Sequence, residues 1–100
     1  MILFNTTFVY DKNLRDQLCE WVRETWIPEA LRSGMEMPLC AHVPVAQDEA
    51  LSMAVQGRFD VNADAEAWHG SRGAELLDAL YGKFGERVLA FSTLMEVFQP

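Results

Sequence analysis

Apolar positions along the chain change period repeatedly, and each change marks an element. "ILFNTTFVY", Ile2 to Tyr10, is dense in β-branched and aromatic residues and stops at the turn former Asp11, which predicts a strand. From there the period turns helical: Leu14, Leu18, Trp21, Val22 and Thr25 share one face, with Asp11 as N-cap. Pro28, in "WVRETWIPEALRSG", interrupts that helix. Its ring clashes with the preceding turn and disfavours the α region for Ile27, yet it suits the first position of a new helix. The expectation is a break or bend near Trp26–Ile27, a restart through "PEALRS", and a stop at Gly34.

In "MEMPLCAHVPV" the apolar Met35, Met37, Leu39, Ala41, Val43 and Val45 alternate with Glu36, Pro38, Cys40, His42 and Pro44. That period predicts a strand, and its two prolines of one parity predict an edge or a bulge. "AQDE" reads as a turn, after which Leu51, Met53, Val55 and Phe59 alternate with Ser52, Ala54, Gln56 and Arg58. The two strands predict an antiparallel hairpin with one greasy and one polar face. "VNADAEAWHGSRGAELLDALYGKFG" predicts a helix opened by Asn62, with a stripe of Ala67, Ala74, Leu77, Tyr81 and Phe84, flanked by Leu76 and Leu80. Gly70 and Gly73 each weaken it by about 1 kcal/mol relative to Ala and predict a bend or a close contact. Gly85 ends it, and "RVLAFSTLMEVF" predicts the last strand.

The order β-α-β-β-α-β predicts an α+β, ferredoxin-like fold in one domain over residues 1–100: a four-stranded antiparallel sheet with two helices on one face. The first and last strands are apolar in both parities, since Ile2, Phe4 and Phe8 alternate with Leu3 and Val9, and Val88, Ala90 and Leu94 with Leu89, Phe91 and Met95. A solvated sheet face would not look like this. Burial against a second copy explains it and predicts a homodimer through the sheet face, a dimeric α/β-barrel with a space between its two sheets.

"MILFNTTFVYD", "W....WIPEALRSG" and "KFGERVLAFSTLMEV" together resemble a small bacterial family catalogued as a domain of unknown function, number 4286. The most specific parts are Ile27, Pro28, Leu31 and Gly34, and the ending Phe84, Gly85, Ala90, Phe91, Thr93 and Leu94. The resemblance covers essentially the whole chain. It implies the ferredoxin-like, dimeric α/β-barrel fold and no known activity. Members usually carry His immediately before Ile-Pro, where this chain has Trp26.

Composition narrows the partners. Half the residues are apolar and 23% are charged, an ordinary globular mixture. A net charge of −7 without a Lys/Arg cluster argues against nucleic acid and against an anionic membrane. The first residues carry no basic leader, and "NTT" breaks their apolar run, so neither a signal peptide nor a membrane span is expected. Cys19 and Cys40 lack C-x-x-C spacing and are expected to be reduced thiols in a cytoplasmic protein.

Candidate chemistry is sparse. On the alternation above, Cys40, His42, Ser52, Gln56 and Arg58 share the face opposite the greasy stripe, and Asn5 and Thr7 join them from the first strand. In a ligand-binding reading Arg58 fixes an anionic group, His42 moves a proton, and Asn5 with Gln56 orients the ligand. The plainer reading is polar residues satisfying one another beside a dimer interface. Trp26, at the helix seam, is either filler or a cover for the barrel end. Cys40 as a nucleophile rests only on His42 two residues away.

Asn5, Trp68 and a histidine match residue types used by haem-degrading and antibiotic-biosynthesis monooxygenases of the same superfamily. His69, however, adjoins Trp68 and points about 100° away from it on a helix. No His/Cys/carboxylate spacing suits a metal, and "GSRG" at 70–73 lacks the context of a phosphate loop. The sequence therefore points to a homodimeric binding module with an inter-sheet cavity for a small organic ligand, without cofactor or metal. The alternative is a cofactor-independent monooxygenase or isomerase in that cavity.

Overall fold

The computed structural model describes residues 1–44 and 50–100; the turn expected at "AQDE", with Val45, lies outside them. Strand β1 (Ile2–Asp11) buries Phe4, Thr6, Phe8 and Tyr10 on one side, the alternation its sequence demands. A 3₁₀ turn follows, where the Asp11 carboxylate accepts from the Asn13 backbone N–H at 2.9 Å, as the capping role requires.

The helical arm then runs through α1 (Arg15–Trp21), a π turn over Val22–Trp26, and α2 (Ile27–Arg32). The break or bend expected near Trp26–Ile27 takes the form of this π turn, and α2 starts at Ile27 with Pro28 in its first turn. Trp26 (φ −63°, ψ −55°) and Ile27 (φ −63°, ψ −48°) stay helical, and the Ile27 N–H donates to the Val22 carbonyl five residues back. A π turn is wider than an α turn, so it seats the missing donor and the ring of Pro28 without ending the helix. The arm stops at Gly34, whose φ of +108° is open to glycine and strained for other residues.

Strand β2 (Glu36–Val43) pairs antiparallel with β3 (Ala50–Phe59), which pairs with β1, which pairs with β4 (Val88–Glu96), giving the order β2-β3-β1-β4. Between β3 and β4 the expected single helix is two, α3 (Asn62–Gly70) and α4 (Arg72–Phe84). Ser71 (φ −128°, ψ −90°) breaks them where the two glycines predicted a bend, and a Cβ on Gly73 would stand 2.6 Å from the Trp68 carbonyl. Asn62 is not the cap; Val61 holds that position, with no side-chain bond. The buried stripe is Ala65, Trp68, Gly73, Leu76, Leu80 and Phe84, while Leu77 and Tyr81 flank it and Ala67 faces solvent.

Both helical arms cover the same side of the sheet, and the core lies between them. At its centre Trp26, 1% exposed, meets Trp68 at 4.9 Å between ring centroids, Phe8 at 5.8 Å and Trp21 at 6.0 Å. Thr6, the one buried polar residue among those described, is bonded through its hydroxyl to Ser92 at 2.8 Å. The indole N–H groups of Trp26 and Trp68 find no acceptor.

Candidate functional site

The sheet face away from the helices can be written as four rows of neighbours read across β4, β1, β3 and β2: Met95, Leu3, Arg58, Glu36; Thr93, Asn5, Gln56, Leu39; Phe91, Thr7, Ala54, Ala41; Leu89, Val9, Ser52, Val43. The outer strands carry the most exposed apolar side chains, with Leu89 58%, Phe91 51%, Leu39 59% and Val43 50% exposed, beside the polar Thr93 and Glu36. Between Leu3 and Val9, the middle is polar and small: Asn5 donates to the Thr7 hydroxyl at 3.1 Å and stands opposite both Gln56 and Thr93.

Asn5, Thr7, Gln56 and Arg58 are thus brought to one face. Arg58 is not available there as a lone cation. Its Nη2 donates to Glu36 at 3.1 Å, and Asp60 stands 3.7 Å from its Nε, which has no hydrogen bond.

Cys40 and His42 are not on that face. They pair with Val55 and Met53, so their side chains look toward the helices. The reason is a β-bulge. Glu36 opposes Arg58 and Leu39 opposes Gln56, so Met37 and Pro38 together face the single residue Gly57. Met37 takes the left-handed conformation at φ +53°. The extra residue flips the alternation, so Met35 is buried with the core while Leu39, Ala41 and Val43 emerge on the open face. Trp26 likewise leaves the expected site: it is core, 1% exposed, and away from the open face.

What the flip creates is a cleft of about 290 Å³ between β2 and the π turn. Cys19, Val22, Arg23 and Ile27 wall one side, Cys40 and His42 the other, and Met53 forms the floor. Tyr10 Oη lies 3.1 Å from His42 Nε2. Burial raises the Tyr10 pKa above its ordinary value; nearby Cys19 adds to this and Arg15 opposes it. Burial, with Cys19 beside it, also raises that of the Cys40 thiol, the opposite of what a nucleophile needs. The expected Cys40–His42 couple therefore has no activated thiol, and both cysteines are free.

Asn5, Trp68 and His69 do not form a set. Asn5 is on the open face, Trp68 is core, and His69 lies against the Phe4 ring at 5.8 Å on the helix side. Among the described residues no group of three or more His, Cys, Asp or Glu side chains is placed to hold a metal ion, and no helix is long and apolar enough to cross a membrane. Sequence reading missed the cleft, whose signals were the proline inside a helix and the proline inside a strand.

Four antiparallel strands in this order, with both helical arms on one side, define a ferredoxin-like domain. The chain belongs to the family described as domain of unknown function DUF4286, whose model matches residues 1–98. No curated protein matches it. Its fold is similar to that of two dimeric ferredoxin-like proteins from uncultured marine organisms. One has TM-score 0.64 at 12% identity, covering 98% of this chain and 96% of the other; the second has 0.54 at 14%, covering 100% and 99%. It is also similar to a Bacillus cereus protein provisionally named as an antibiotic biosynthesis monooxygenase (TM-score 0.56, 13% identity, covering 99% and 96%).

Proposed function

We propose that the protein is a homodimeric binding module that closes its open sheet face on a second copy and encloses a small organic ligand between the sheets. The observation that carries this is the layout of that face. Its most exposed apolar side chains, Leu39 and Val43 on one margin and Leu89 and Phe91 on the other, stand on the two outer strands; Asn5, Thr7, Gln56 and Ala54 lie between them, with Leu3 and Val9 at the two ends of the central strand. Two such faces brought together join at bulky margins and leave a polar-lined space in the middle.

The size is sufficient. Strands of this length in a four-stranded sheet present a face roughly 30 Å by 19 Å, so two faces cover on the order of 1,100 Å², near the lower bound for a specific interface. Two of the similar structures are named as dimeric, which supports the same assembly here. Free thiols and an acidic surface fit a bacterial cytoplasm. An oxygenase working in the same space has only one neighbour's name behind it.

Native mass spectrometry of the purified chain, beside its denatured mass, tests the reading. A dimer carrying extra mass supports module and ligand together. A ligand-free dimer supports the assembly and transfers the ligand question to titration at Asn5, Thr7 and Gln56. A monomer at micromolar concentration overturns the reading.

A further inference from the structure

The cleft behind β2 shares Ala41 with the open face, but of the proposed ligand contacts there, Asn5, Thr7 and Gln56, none lines it, and it does not depend on the dimer. Its interior is apolar, with Val22, Ile27 and Met53 around the two thiols, and about 290 Å³ is the small end of ligand-pocket volumes. Its mouth carries positive charge in a chain of net charge −7. Arg15, Cys19 and Arg23 follow one another at four-residue spacing on the helical arm. Arg23 lines the cleft, and Arg15 lines the adjoining depression, which shares His42.

Arg87 lies away from the cleft, in a depression it shares with Glu86, and the remaining arginines are engaged. Arg32, Arg58 and Arg72 meet carboxylates at 2.9 to 3.3 Å. Among the described residues Arg23 has only its neighbour Glu24 at 4.0 Å, beyond hydrogen-bond reach, and Arg15 has no carboxylate within that distance. A phosphate, with close to two charges and three acceptor oxygens, asks for more donors than the one guanidinium lining this cleft, and the middle of a helix adds no open backbone N–H groups. One delocalised charge on an apolar body fits.

The geometry points to this cleft as a binding site for a small apolar monocarboxylate, its hydrocarbon or aromatic body between Val22, Ile27 and Met53 and its carboxylate at Arg23. The wall that makes room is the π turn, since Val22 and Arg23 belong to it and Ile27 closes it. That is the structural return on a proline placed inside a helix.

The test uses phenylacetate and its uncharged analogue phenylacetamide, titrated into the ¹⁵N-labelled full chain and followed by amide shifts. A ligand of this size binds weakly, with Kd on the order of a millimolar. The expected result is saturable shifts centred on Cys19, Arg23, Cys40 and Met53, with the acid bound about threefold to tenfold tighter than the amide. Arg23→Ala removes that preference and Cys40→Phe, which fills the cleft, abolishes both. Arg23 is on the surface, so its variant folds even if Cys40→Phe does not. Equal affinity for acid and amide, no saturation, or shifts centred on Asn5, Thr7 and Gln56 would each overturn the assignment; the last would leave the inter-sheet reading standing.

Discussion

Tyr10 and His42 sit on strands that do not touch, yet Tyr10 Oη reaches His42 Nε2 at 3.1 Å over the helix side of β3. The contact ties the edge strand to the core and fixes the inner end of the cleft. Tyr10 is 1% exposed, so its ring is packing and its hydroxyl is tethering. Tyr10→Phe removes the tether alone and is expected to cost about 1 kcal/mol, whereas Tyr10→Ala also leaves a cavity and costs about 3–5 kcal/mol. Urea unfolding of the two variants separates the terms; wild-type stability in Tyr10→Phe would mean that the hydroxyl contributes nothing.

The same pair predicts an alkaline response. The folded pKa of Tyr10 is raised above 10.0, chiefly by burial, so the folded state holds its proton after the unfolded chain has lost it. Stability from this group is complete below the unfolded pKa and falls as pH rises through the folded one. Cys40 behaves alike from its ordinary value of 9.0. Iodoacetamide labelling of a Cys19→Ala variant should therefore reach half its maximal rate above that of a free thiol. A midpoint below it would restore Cys40 as a candidate nucleophile. Urea titrations of wild type and Tyr10→Phe across the same range should converge as pH rises.

Most of the architecture was legible in the sequence, because period and punctuation act locally. Leu14, Leu18, Trp21 and Val22 declared their buried face, and Gly34 and Gly85 the ends of helices. The faces of β2 were not legible residue by residue. Pro38 and Pro44 signalled an irregular edge, but whether the extra residue falls before or after Cys40 depends on which partner Gly57 faces. That is a long-range fact, and one residue reverses every side chain beyond it. Trp26 failed for a related reason. A tryptophan beside a helix break reads as a cap on an open end, and only the π turn, by keeping the helix running, carries it into the core beside Trp68.

Gly57 is what the bulge packs against. A Cβ there would lie 2.5 Å from Met35 Cγ and 3.0 Å from the Glu36 carbonyl. Gly57→Ala is expected to cost about 1–3 kcal/mol through overpacking. Adding Met35→Ala opens the space, so the double variant should lose less than the sum of the two singles. Strict additivity in the cycle would show that the Met35 contact is not the cause.

Phe91 and Leu89 decide whether the open face is an interface. They are half exposed in a single copy, so Phe91→Arg should change the stability of an isolated domain by no more than about 0.5 kcal/mol. Across a face-to-face dimer the same arginine meets an apolar margin without a partner. A cost of about 3 kcal/mol there weakens association on the order of a hundredfold. Ala79→Arg, on the solvent side of α4, is the matched control, adding the same charge away from the sheet. Sedimentation at micromolar concentration should then give a dimer for wild type and for Ala79→Arg, and a monomer with unchanged circular dichroism for Phe91→Arg. Loss of the dimer in both variants would trace association to net charge. Retention in both would place it on a strand edge or a helix face, leaving Asn5, Thr7 and Gln56 lining open solvent.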